Sequence, residues 1–124
     1  MVIHKSAEDY LESILVLHQR RGTVRSIDIV NELGYSKPSV SIAMKKLRES
    51  GYITMAADGT ITLNESGLEI AKRVYSRHRA VTRLFTLLGV SEEQAAEDAC
   101  KVEPDLSDET YACICAFIAK QDGE

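Results

Sequence analysis

A chain of 124 residues with 44% hydrophobic and 27% charged residues has the balance of one ordinary globular domain, or two very small ones, and not that of a disordered or collagen-like polymer. No apolar run approaches the ~20 residues of a membrane-spanning helix, and the opening MVIHKSAEDY meets acids before any signal-peptide core forms, so a soluble, cytoplasmic chain is expected. The net charge of −4 is uneven: residues 1–90 carry 13 Lys+Arg against 9 Asp+Glu, and residues 91–124 carry 2 against 10, which points to two parts with different work.

Only 7 Gly and 2 Pro are too few for the turns of a β-sandwich, so helix should dominate. Ser6 is placed to cap a first helix with Glu8 and Asp9 in its opening turn. Its stripe is Tyr10, Ile14 and Leu17, with Leu11 and Leu15 alongside, and it ends near Arg21-Gly22. Ser26 should cap a second, shorter helix with Ile27, Val30 and Leu33 apolar, stopped by Gly34. After Gly34-Tyr35-Ser36 comes a third, with Pro38 in its first turn. Val40, Met44 and Leu47 face inward; Lys37, Ser39, Ser41, Lys45 and Lys46 face out; Gly51 ends it.

Residues 52–55 and 60–63 are β-rich runs around Asp58-Gly59, a hairpin signal. Asn64 is the expected cap of a long helix to about Leu88, with the stripe Leu68, Ala71, Tyr75, His78, Thr82 and Phe85 and the stop Gly89. Ser91-Glu92-Glu93-Gln94 is a capping-box pattern. Pro104 breaks that fifth helix, and Ser107 opens a sixth with Tyr111, Ile114, Phe117 and Ile118 apolar.

Two helices joined by a tight turn and followed by a hairpin make a winged helix-turn-helix, whose second helix enters the DNA major groove. That helix presents Ser36, Lys37, Pro38, Ser39 and Ser41, with Lys45 and Lys46 further along for phosphates. Serine hydroxyls discriminate bases weakly, whereas lysines give salt-dependent affinity. The pattern as a whole favours DNA binding over a merely solvated lysine face.

The acidic part offers less by itself. Asp9 and Glu12 lie on one side of the first helix and taken alone are an acidic turn. His78 on an apolar stripe is commonly a core histidine, and Cys100 is commonly a small buried hydrophobe. Together with Glu103 they are a plausible ligand set for a first-row divalent metal, although spacing does not show that they converge. The odd count of Cys100, Cys113 and Cys115, with two of them neighbours along a helix, argues against a disulfide framework. There is no nucleophile–base constellation, Gly-rich phosphate loop or recognisable cleft of paired acids, so an enzyme is not expected. Two rivals remain: a metal-independent winged-helix regulator sensing redox state through its cysteines, and a winged-helix interaction module that does not bind DNA. The apolar face of the sixth helix suits either packing within the chain or a second copy.

The stretches Ala7-Glu8-Asp9-Tyr10-Leu11-Glu12, Ser36-Lys37-Pro38-Ser39-Val40-Ser41, Leu47-Arg48-Glu49-Ser50-Gly51-Tyr52-Ile53, Leu63-Asn64-Glu65-Ser66-Gly67, Arg77-His78-Arg79 and Cys100-Lys101-Val102-Glu103 together resemble the diphtheria toxin repressor family of metal-dependent regulators, which includes the manganese transport regulators. The resemblance implies a mainly α fold. An N-terminal winged helix-turn-helix domain at residues 1–72 would be followed by an all-helical dimerisation and metal-binding domain at residues 73–124. It implies metal ligands at Asp9, Glu12, His78, Cys100 and Glu103, and a homodimer on palindromic double-stranded operator DNA. It also implies a repressor whose operator binding is promoted by Fe²⁺ or Mn²⁺ held between the two domains. No membrane and no small organic substrate are involved. A thiolate would accept Zn²⁺, Co²⁺ or Ni²⁺ at least as tightly.

The acids at Asp9 and Glu12 are similar to the manganese branch, Cys100 to the iron branch. The chain also ends where iron-type relatives continue into a third domain. Where the family usually has His after Glu103, this chain has Pro104, leaving Asp105, water or a backbone carbonyl to complete coordination. Thr82 stands where the iron branch often has a carboxylate.

Overall fold

The computed structural model describes residues 5–123; residues 1–4 of the expected first domain and residue 124 of the second lie outside them. Six helices and one two-stranded antiparallel sheet follow in the order α1 (Lys5–Arg21), α2 (Ser26–Leu33), α3 (Lys37–Glu49), β1 (Ile53–Met55), β2 (Ile61–Leu63), α4 (Glu65–Leu87), α5 (Glu92–Val102) and α6 (Asp108–Gln121). The chain falls into two compact units, one ending at Val74 and the other beginning at Tyr75, with α4 passing unbroken from one to the other. Among the described residues no helix is long and apolar enough to cross a membrane.

The winged unit forms because three amphipathic helices and a hairpin have matching apolar faces. α1 buries Tyr10, Leu11, Ile14, Leu15 and Leu17, α2 buries Ile29, and α3 buries Val40, Met44 and Leu47. The hairpin pairs Ile53 with Leu63 and Met55 with Ile61, which turns Ile53 and Ile61 into the core. The loop between α1 and α2 adds a bridge: Ile61 N donates to Val24 O at 2.8 Å, so Val24 lies along the wing's open edge. Gly67 allows α4 to start hard against the hairpin, since a Cβ there would stand 2.2 Å from the Tyr52 carbonyl oxygen.

The caps follow local chemistry, with corrections to the expectations. Ser36 Oγ accepts from Ser39 N at 3.2 Å, Ser91 Oγ from Gln94 N at 3.3 Å and Ser107 Oγ from Thr110 N at 3.1 Å, each a side-chain N-cap. Ser26 does not cap α2. The cap position is Arg25, whose backbone N donates to the Asp28 carboxylate at 2.9 Å, because an ionised acceptor at N3 outcompetes a hydroxyl. Ser6 lies inside α1, which is already helical at Lys5. The Asn64 side chain is engaged elsewhere: Nδ2 donates to Gly51 O at 3.0 Å, and Oδ1 accepts from Thr54 Oγ1 at 2.7 Å. Gln94 turns to Asp98 at 2.9 Å and leaves the Ser91 capping box one-sided.

The stripe on α4 is rotated by about one residue from the expected one. Ala71, Val74, Arg77 and Val81 are buried, while Leu68, Tyr75, His78, Thr82 and Phe85 are half-buried on its flank. In the helical unit α5 buries Ala95 and Ala99, a 3₁₀ turn at Glu103–Asp105 carries Pro104, and no residue of α6 is buried.

Candidate functional site

Asp9 and Glu12 stand three apart on α1, a spacing that sets both carboxylates on one side of a helix; both are half-buried. His78 is on α4, its side chain 12% exposed. Two carboxylates on one side of α1 in the winged unit, and an imidazole on α4 in the helical unit, are ligand types suited to a hard or borderline divalent cation.

Glu103 is buried in the turn after α5 and approaches His78 from the helical unit, with its Oε1 3.2 Å from His78 Nε2. Its other oxygen is taken: Arg77 Nε donates to Glu103 Oε2 at 2.6 Å. The guanidinium spends its remaining donors on Leu106 O at 3.1 Å and Asp108 Oδ1 at 3.3 Å, and lies 4.5 Å from the Tyr111 ring centroid. Burial alone pulls the Arg77 pKa down, but hydrogen bonds and charge from Glu103 and Asp108 outweigh it, so the net direction is up. Glu103 therefore has one oxygen fixed on a permanent cation and one turned to the imidazole.

Cys100 lies on α5 and is exposed. The Thr82 hydroxyl donates back along its own helix to His78 O at 2.7 Å. Cys113 is exposed and Cys115 half-buried on α6.

On α3 the outward residues are placed as their spacing predicts: Ser36, Lys37, Pro38, Ser39, Ser41, Lys45 and Lys46 are all exposed. Two of the hydroxyls are partly committed, since Ser36 Oγ donates to Ser39 Oγ at 2.8 Å while accepting the Ser39 N–H. The lysines and Ser41 are the open polar groups of this face. Ile42 stands among them, 58% exposed.

Sequence reasoning missed Arg77 and Ile42. An arginine in the run Arg77-His78-Arg79 reads as a solvated charge, because its partners lie 26 and 31 residues away. Ile42 had a visible signal, an isoleucine set between the outward Ser41 and Lys45.

Residues 3–61 match the family described as "Iron dependent repressor, N-terminal DNA binding domain". Residues 64–122 match "Iron dependent repressor, metal binding and dimerisation domain". An uncharacterised HTH-type transcriptional regulator of Methanocaldococcus jannaschii is 34% identical, over 94% of this chain and 94% of the relative. The transcriptional regulator MntR of Salmonella typhimurium is also 34% identical, over 89% of this chain and 70% of the relative. Among solved structures, a manganese-dependent transcriptional repressor in complex with manganese superposes with a TM-score of 0.82 at 28% identity over 91% of this chain. This chain spans about half, 52%, of that protein. With both halves matched in order, and a relative 34% identical over 94% of its length, the chain belongs to the iron-dependent repressor family, the diphtheria toxin repressor and manganese transport regulators, which are transcriptional regulators and not enzymes.

Proposed function

We propose that this protein is a metal-activated repressor that binds palindromic operator DNA as a homodimer, with Mn²⁺ or Fe²⁺ as the activating ion. The observation that carries the reading is the match of residues 64–122 to the family's metal binding and dimerisation domain, to which α1 adds two carboxylates, Asp9 and Glu12, on one side of a helix. Two oxygens and one nitrogen favour Mn²⁺ and Fe²⁺ by ligand type, whereas exposed Cys100 would bring thiolate and a preference for softer ions. Glu103, whose Oε1 lies 3.2 Å from His78 Nε2, would add a further carboxylate oxygen while Arg77 keeps Oε2 engaged.

A bound cation would supply charge neutralisation, held by Asp9 and Glu12 on α1 and by His78 on α4. α1 brings its carboxylates on the helix whose other face packs in the winged core, so its placement bears on α3. If the cation is held better in the DNA-competent arrangement, operator affinity must rise by the same factor. α3 then presents Lys37, Lys45 and Lys46 to phosphates and Ser41 to base edges. The apolar residues of α6, Phe117 foremost at 43% exposure, are the surface for the second copy.

The test strips the protein with chelator and titrates it anaerobically with Mn²⁺ and Fe²⁺ by equilibrium dialysis, for wild type and Glu12→Gln. One or two ions per chain in the wild type, with one lost in the variant, is expected. No binding by the wild type defeats the reading. Glu12→Gln is a cleaner probe than Glu103→Ala, which would also strip a buried arginine of its carboxylate.

A further inference from the structure

We propose that Ile42 reads thymine in the operator, by apolar contact with the C5-methyl group in the major groove. The inference rests on the reading of α3 as the DNA-facing helix and adds to it a base, a chemical group and a residue. α3 buries Val40, Met44 and Leu47, and at about 100° per residue Ile42 stands roughly 200° round from Val40, at the summit of the opposite face. Its neighbours one turn away are Pro38 before it, and Lys45 and Lys46 after it, all exposed. Of the winged unit's exposed large apolar residues among those described, Ile27, Tyr35 and Ile42, it is the most exposed at 58%. Tyr35 at least has the Tyr10 ring 5.7 Å away.

What covers Ile42 is fixed by its surroundings. From Lys37 through Arg48 the helix carries no acid, so a second copy of the same face would bring lysines against lysines. A polyanion is the complementary occupant. In the major groove the one apolar group is the thymine methyl, and apolar side chains on a recognition helix meet it. Ser36 and Ser39 bond to each other, and lysines on phosphates carry no sequence information. That leaves Pro38, Ser41 and Ile42: a serine hydroxyl discriminates weakly, and of the two apolar side chains Ile42 is the larger and stands opposite the buried face, 58% exposed, which makes it the one best placed to tell thymine from cytosine.

The experiment uses the full chain loaded with Mn²⁺. Duplexes are selected from a random-sequence pool, and the selected site is remade with deoxyuridine replacing thymidine one position at a time, which removes one methyl and nothing else. Affinities are measured for wild type and for Ile42→Ala, a change at an exposed position to the best helix former, with a thermal melt to confirm folding. At one thymine per half-site, removing the methyl should weaken the wild type about fourfold. Ile42→Ala should bind the thymidine duplex correspondingly weakly and be indifferent to the methyl there, so the two changes are not additive. Equal losses in both proteins at every sensitive position, or no sensitive position, overturns the assignment while leaving DNA binding intact. If no salt-dependent duplex binding is found, the parent reading fails and the assignment falls with it.

Discussion

In the winged unit Leu11, Ile14, Val24, Ile29, Val40 and Ile61 are each exposed by 1% or less, whereas the buried apolar residues of the helical unit are Val81, Ala95 and Ala99. The helical unit buries a charge pair instead, Arg77 with Glu103, and its last helix buries nothing. Large aliphatic side chains removed from water stabilise the first unit in proportion to their area. Two alanines and a valine remove little. The second unit buries a satisfied ion network in place of large aliphatic side chains, and leaves Phe117 of α6 43% exposed. Self-sufficiency suits a part that must present a rigid helix to DNA. The proposed metal response and second copy would act on the part with the smaller apolar core.

The largest expected effect strikes that contrast directly. Glu103→Ala leaves the Arg77 guanidinium, 10% exposed at its side chain, buried beside a missing partner. Such a break costs about 3–5 kcal/mol. Urea unfolding of the metal-free protein should show a loss of that order, and replacing both partners by apolar residues of similar volume, Arg77→Met with Glu103→Leu, should recover most of it. A loss under about 1 kcal/mol for the single change would mean that the ion network is not what holds the helical unit.

The next effect sharpens the other half of the comparison. Phe117→Asp should leave the monomer's stability within about 0.5 kcal/mol, since the side chain touches water already. It should raise the dimer dissociation constant at least tenfold, because a carboxylate buried in an apolar contact must be desolvated. Sedimentation equilibrium across a concentration series checks this. Unchanged self-association would move the dimer contact off this part of α6.

Legibility in the sequence followed the same division. Where short-range periodicity decides structure, as in the α1 stripe, the inward Val40, Met44 and Leu47, and the caps at Ser91 and Ser107, spacing alone was sufficient. Ser26 misled because a hydroxyl and the Asp28 carboxylate compete for the same helix start, and spacing does not rank them. The α4 stripe slipped because apolar residues occur on both flanks of that helix. Its buried edge is set by Val74 and Val81 and by Arg77, whose partners come from the distant Glu103–Asp108 segment. The proposed ligands rest on family resemblance more than on spacing. Asp9 and Glu12 lie 66 or more residues before His78, and periodicity carries no information over that range.

The smallest effect belongs to the wing, where an exposed ion pair can be set against the buried one. Asp58 Oδ1 accepts from Thr60 N at 3.0 Å, and Oδ2 lies 3.6 Å from Arg25. The Thr60 backbone N–H, then the Thr60 side chain, and more weakly Arg25 hold this carboxyl below the ordinary aspartate value. With the folded pKa lower than the unfolded one of about 3.9, the native wing binds fewer protons. Its stabilisation is complete above the unfolded value and is lost as pH falls through the folded one. A carboxyl titration followed by NMR should place the Asp58 midpoint on the acid side of an unfolded-peptide reference. Arg25→Gln should move it back only slightly, because a hydrogen bond to a backbone N–H persists in water-exposed surroundings where a 3.6 Å ion pair is screened. A shift abolished by Arg25→Gln would reverse that ranking, and the exposed wing would then owe its charge balance to the same kind of pairing that organises the buried Arg77 network.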